Sequence, residues 1–159
     1  MKKILSVVTL FTVLFIGANA AKADDAADAK EFFNSYVNAA NSYSTNIPDF
    51  YSPKAKIIRQ VIENKTGKLV NAYTDTATYM KQLKLSSATA KLRKYKNTYR
   101  NITVAKVADG YKISAERQPS GETYWLQTYQ IVQKQPDGKW KIIEEMMQTK
   151  EQIFLRYAK

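Results

Sequence analysis

The chain has 159 residues, 25 Lys or Arg against 14 Asp or Glu, and a formal charge of +11. It contains no histidine and no cysteine, which removes the usual general base, the usual metal ligands, the thiol nucleophile and any disulfide framework. A basic balance favours anionic partners, although it speaks to solubility first.

The first residues, MKKILSVVTLFTVLFIGANAAKADD, combine a basic start at Lys2 and Lys3, an apolar run over residues 4–16, and two A-x-A signatures at 18–20 and 21–23. This is the pattern of a bacterial secretory signal peptide. The apolar run is shorter than the ~20 residues of a membrane span. Cleavage is expected after Ala23, with Ala20 as the alternative, leaving one domain over residues 24–159 in the periplasm or outside the cell. Loss of Lys2, Lys3 and Lys22 lowers the formal charge from +11 to +8. A domain of this size buries about two-thirds of its unfolded surface, and without disulfides it relies on that core.

Asp24–Asn41 is expected to be helical, with Ala29, Phe32, Phe33, Tyr36, Val37 and Ala40 on one apolar face. Asn41–Pro53 reads as a loop holding a single turn. Lys54–Asn64 fits a helical stripe, but its β-branched residues favour a strand, paired through the turn Lys65–Lys68 with Leu69–Tyr73. Thr74 or Asp75 caps a second helix over Thr76–Leu85, ending at the Ser86–Ala90 run. Leu92–Val107 reads as a long strand with Tyr95, Asn97, Tyr99 and Asn101 on one face. It turns at Ala108-Asp109-Gly110 and returns over Tyr111–Gln118. The last hairpin, Glu122–Gln148, turns at Pro136-Asp137-Gly138, where Asp-Gly between β-rich arms is a strong hairpin signal. The tail from Thr149 either extends the last strand or docks as a short turn.

Helices followed by long antiparallel strands make an α+β domain. The aromatic first helix with Phe32, Phe33 and Tyr36, the turn 65–68 before a helix with Tyr79 and Leu83, and the ending Asp137-Gly138-Lys139-Trp140-Lys141-Ile142-Ile143 together resemble the nuclear transport factor 2-like superfamily. The resemblance covers nearly all of residues 24–159. It implies a curved antiparallel sheet forming a cone, closed by two to three helices. It also implies a fold shared by enzymes, carriers and non-catalytic modules.

No Gly-rich phosphate loop, nucleophile elbow or zinc spacing is present, and no cofactor or metal is expected. Strict alternation puts Trp140, Ile142, Glu144 and Met146 on one face of the last strand, which would make Glu144 a carboxylate among apolar groups. Eleven tyrosines and two tryptophans suit an apolar pocket with hydroxyl handles. Alternation separates Tyr124 from Trp125 and Tyr129. The resemblance, with its aromatic inner face, selects Tyr99, Trp125, Tyr129 and Glu144 as the ligand-binding set. The basic run Lys91–Arg100 is not a nucleic-acid site, because Lys94, Lys96 and Arg100 fall opposite Tyr95 and Tyr99. Weak contact with an anionic surface is all it supports.

The expected function is an exported, non-enzymatic binding module with an aromatic-lined concave pocket for a small or amphipathic ligand, apolar or anionic in character. The alternatives are a cyclase- or isomerase-type enzyme using Glu144 and a tyrosine, and a homodimer or other interaction domain using the open sheet face.

Overall fold

The computed structural model describes residues 17–158, with side chains from Asp24 onward. The basic start and apolar run of the expected signal peptide lie outside the described residues, and both expected cleavage points fall within helix α1. No described helix is long and apolar enough to cross a membrane.

Helix α1 spans Gly17–Asn41. Ala29, Phe33 and Tyr36 are buried along one stripe, with Phe32, Val37 and Ala40 packed beside them, because positions three and four apart share a helix face. A 3-10 turn over Ile47–Phe50 leads into β1, Tyr51–Ile62, which pairs with β2, Leu69–Thr74. The hairpin reading of this segment therefore holds, and Tyr51–Pro53 belong to the strand rather than to the preceding loop.

Helix α2 runs over Thr76–Leu92. The Asp75 side chain accepts from the Thr78 amide at 2.8 Å, capping its start. The expected break at Ser86–Ala90 does not occur. Ser86 and Ser87 donate their hydroxyls to the Leu83 and Lys84 carbonyls, so their polar groups are satisfied within the helix. The alanines that follow are strong helix formers. The third strand accordingly starts later than expected.

Strands β3 (Asn97–Val107), β4 (Gly110–Pro119), β5 (Leu126–Lys134) and β6 (Trp140–Thr149) complete a six-stranded sheet in the order β2-β1-β6-β5-β4-β3. One pair departs from the expected antiparallel sheet: β1 and β6 are parallel. A parallel pair needs a long connection, and residues 63–139 supply it. The β3–β4 turn requires its glycine. Gly110 has φ +148°, and an added Cβ would lie 2.1 Å from the Val132 carbonyl oxygen. The tail docks as a short 3-10 turn over Gln152–Tyr157, tied to β1 by Gln152 Nε2 donating to the Ile62 carbonyl at 2.9 Å.

Two bulges set the faces of the sheet. In β3 the register slips between Arg100 and Thr103, around Asn101 at φ +54°. Tyr99, Ile102 and Val104 then all pack against the core, breaking simple alternation. In β6, Ile142 pairs with Val132 and Glu144 with Ile131, leaving Ile143 as the extra residue. Trp140 and Ile142 therefore face the core, but beyond the bulge it is Glu145 that points inward and Glu144 that points out. Trp140 is half-buried and meets Tyr111 edge-on at 5.9 Å between ring centroids.

Candidate functional site

The bulge in β6 delivers Glu145 to the centre of the core, where it is 1% exposed. Donors from four other elements surround it. Tyr51 at the start of β1 donates to Oε2 at 2.6 Å, and Tyr36 of α1 reaches the same oxygen at 3.4 Å. Gln130 of β5 donates to Oε2 at 3.2 Å, while Tyr79 of α2 and Arg59 of β1 reach Oε1 at 3.1 and 3.4 Å. The Tyr36 and Tyr51 hydroxyls are also 3.0 Å apart. The Arg59 guanidinium lies over the Tyr79 ring, 4.7 Å from its centroid, a cation–π contact strengthened by burial. A buried carboxylate is tolerated when its oxygens are hydrogen-bonded and its charge is paired. Here both conditions are met, and the same bonds fasten both helices to the sheet.

The tyrosines are held in their neutral, donating form. Burial pushes the Tyr36 and Tyr51 hydroxyls well above the usual tyrosine range, and the Glu145 charge adds to it. Burial also raises Tyr79, to about 12, against the opposing pull of Arg59. Burial lowers the affinity of Arg59 for its proton, but Tyr79 and Glu145 outweigh this and raise it overall. Because the neutral hydroxyls are favoured by folding, their stabilisation is complete below about pH 10, where unfolded tyrosines ionise. It is lost as pH rises through the folded values, about 12 for Tyr79. Followed together by tyrosinate absorbance and circular dichroism, alkaline titration should show a late tyrosine phase coincident with unfolding. Titration of all the tyrosines near pH 10 with the fold intact would contradict this cluster.

Above the cluster, between α1, α2 and the β3–β4 end of the sheet, lies a cavity of about 290 Å³. Tyr36, Tyr79, Tyr99, Leu83, Ile47, Met147 and Phe154 supply its apolar wall; Asn41, Asn97, Ser86, Ser87, Arg59 and Arg117 supply polar atoms. One part of the lining is fixed by a reciprocal pair: Asn41 Nδ2 donates to the Asn97 carbonyl and Asn97 N–H to Asn41 Oδ1, both at 2.9 Å. Tyr99 is set by Phe33, which meets it edge-on at 5.4 Å. Burial raises the Tyr99 hydroxyl well above its ordinary value, so it faces the cavity as a neutral donor. Glu145 does not line the cavity.

The four residues selected from the sequence are divided between two sides of the sheet. Tyr99 lines the cavity. Tyr129 and Glu144 meet on the opposite face, where the tyrosine hydroxyl donates to Glu144 Oε1 at 2.5 Å and Lys56 lies 3.4 Å from Oε2. Burial and the adjacent carboxylate raise the Tyr129 hydroxyl. Trp125 precedes β5 and stacks on Arg100, 3.9 Å from ring centroid to guanidinium carbon, beside the Arg100–Glu116 ion pair of 2.6 Å. The common face expected for these four residues fails on two strands: in β5 the buried positions are Leu126, Thr128, Gln130 and Val132, which turns Tyr129 outward, and in β6 the bulge turns Glu144 to that same outer face. Glu145, Arg59, Tyr51 and Arg117 were not singled out. The tandem Glu144-Glu145, which presents a carboxylate to either face, was the available signal. Among the described residues no group of three His, Cys, Asp or Glu could hold a metal ion.

No protein-family profile and no curated protein matches this sequence. Solved structures do match in three dimensions. A nuclear transport factor 2-like protein with a cystatin-like fold from Novosphingobium aromaticivorans superposes with a TM-score of 0.63 at 12% identity, covering 86% of this chain and 88% of that one. A proposed dehydratase from the same family in Streptomyces avermitilis gives 0.58 at 8% identity, over 79% of this chain and 96% of that one. A proposed ketosteroid isomerase from Shewanella frigidimarina gives 0.54 at 16% identity, over 74% and 91%. An open, curved, six-stranded sheet packed by helices α1 and α2, superposing on these structures over most of its length, has the cystatin-like fold of these nuclear transport factor 2-like proteins.

Proposed function

We propose that this protein is an exported binding module that holds a small amphipathic ligand inside its cone. The observation that carries the reading is the cavity of about 290 Å³, walled by aromatic and aliphatic side chains and rimmed by asparagine and serine. That size is at the lower end for ligand sites, and the mixture of apolar wall and few polar groups is typical of them. An acid–base enzyme is the weaker reading. Glu144 stands on the other face of the sheet, Glu145 is enclosed by its own donors, and no carboxylate lines the cavity. The structural similarity to the proposed dehydratase and isomerase supports a shared fold and not their chemistry.

Native mass spectrometry of the protein isolated from its producing cells tests this. The expected mass is that of the chain from Asp24 onward carrying a bound small molecule. Ala90→Phe, which fills the cavity from α2, should keep the protein folded and lose the adduct. A ligand-free wild-type protein, or an adduct that survives Ala90→Phe, would overturn the binding reading. An intact Met1 in a membrane fraction would overturn export.

A further inference from the structure

We propose that the cavity takes a carboxylate carried on a small apolar body, and that Arg117 receives it. This rests on the cavity reading above and names the chemistry of what enters. Arg117 lines the cavity and is 7% exposed. A guanidinium so far from water ordinarily has an acidic partner, since an uncompensated buried charge is costly. The partners of Arg117 are all neutral. Nη1 donates to Asn97 Oδ1 at 2.8 Å and to the Tyr95 hydroxyl at 3.4 Å, and Nη2 donates to the Gln148 carbonyl at 3.0 Å. Nε has no partner. These bonds use three of the five hydrogens that a guanidinium offers.

Among the described residues the ion pairs involve Lys56, Arg59, Arg100 and Lys134, and none involves Arg117. The nearby buried acid cannot serve it, because Glu145 is paired with Arg59 and lies outside the cavity lining. The cavity wall therefore carries two guanidiniums and no carboxylate, and the charge that balances the second arrives with the ligand. Neutral acceptors hold the Arg117 fork in place without neutralising it. A positioned guanidinium with hydrogens left over and no acid beside it matches a carboxylate, which supplies the missing charge. The aromatic wall and the cavity volume confine the rest of the ligand to about a ring and a short chain.

Isothermal titration with 4-phenylbutyrate and its neutral counterpart 4-phenylbutyramide decides the matter. The wild-type protein should bind the carboxylate about tenfold or more tightly than the amide, as expected for a charge-assisted contact. Arg117→Met should abolish that preference, weakening the carboxylate far more than the amide, whose neutral carbonyl makes the weaker contact with a guanidinium. Arg117→Gln, which keeps a polar side chain, gives the same comparison should the methionine variant fail to fold. Equal affinity for the two probes in the wild type overturns this proposal while the cavity reading stands. A carboxylate preference that survives loss of Arg117 also overturns it. Binding of neither probe, together with ligand-free native mass spectra, defeats both readings.

Discussion

Glu145→Ala should destabilise the protein by about 3–5 kcal/mol, the cost of removing one partner of a buried ion pair. The loss leaves the buried Arg59 without its counter-charge. It also leaves Tyr51, Tyr79 and Gln130 without the carboxylate oxygens they donate to. Against a total of about 5–15 kcal/mol for an ordinary domain, such a loss brings the fold close to its threshold. Urea denaturation of wild type and variant measures it directly. Replacing Glu145 and Arg59 together by methionine should cost much less than the alanine substitution alone, because no orphaned charge remains. If Glu145→Ala shifts stability by less than about 1 kcal/mol, the carboxylate is not the clasp described above.

Phe33→Ala should cost about 3–5 kcal/mol, the range for truncating a fully packed aromatic residue. Phe33 is 2% exposed and lies at the centre of the α1 stripe, edge-on to Tyr99. Its removal deletes the ring's burial and leaves a void beside the cavity wall, so both terms act in the same direction. Phe32, one residue away, is only half-buried and packs on Phe50 at 5.4 Å, and its truncation should cost clearly less. Trp140→Ala should likewise fall below Phe33→Ala, since that ring is half-buried. Thermal or urea unfolding of the three variants tests the ordering. A Phe33 variant no weaker than the Phe32 variant would contradict the assignment of the buried face.

What these residues determine locally was legible in their order. The α1 stripe follows from apolar residues three and four apart, and the Asp75 cap from one side chain near free amides. The β5–β6 turn follows from Asp137-Gly138, where Gly138 adopts φ +80° and Asp137 Oδ1 accepts from the Lys139 amide. Each of these depends on residues within one turn of each other. The faces of β3 and β6 do not, because each contains a bulge whose extra residue is fixed by the register of its neighbour. One such residue at Ile143 exchanges Glu144 for Glu145 in the core. The clasp on Glu145 draws its donors from positions 36, 51, 59, 79 and 130, and Arg117 lacks an acid only relative to what the whole fold places around it. Charge balance inside a cone is a property of which chains converge there, and only the tertiary structure decides that.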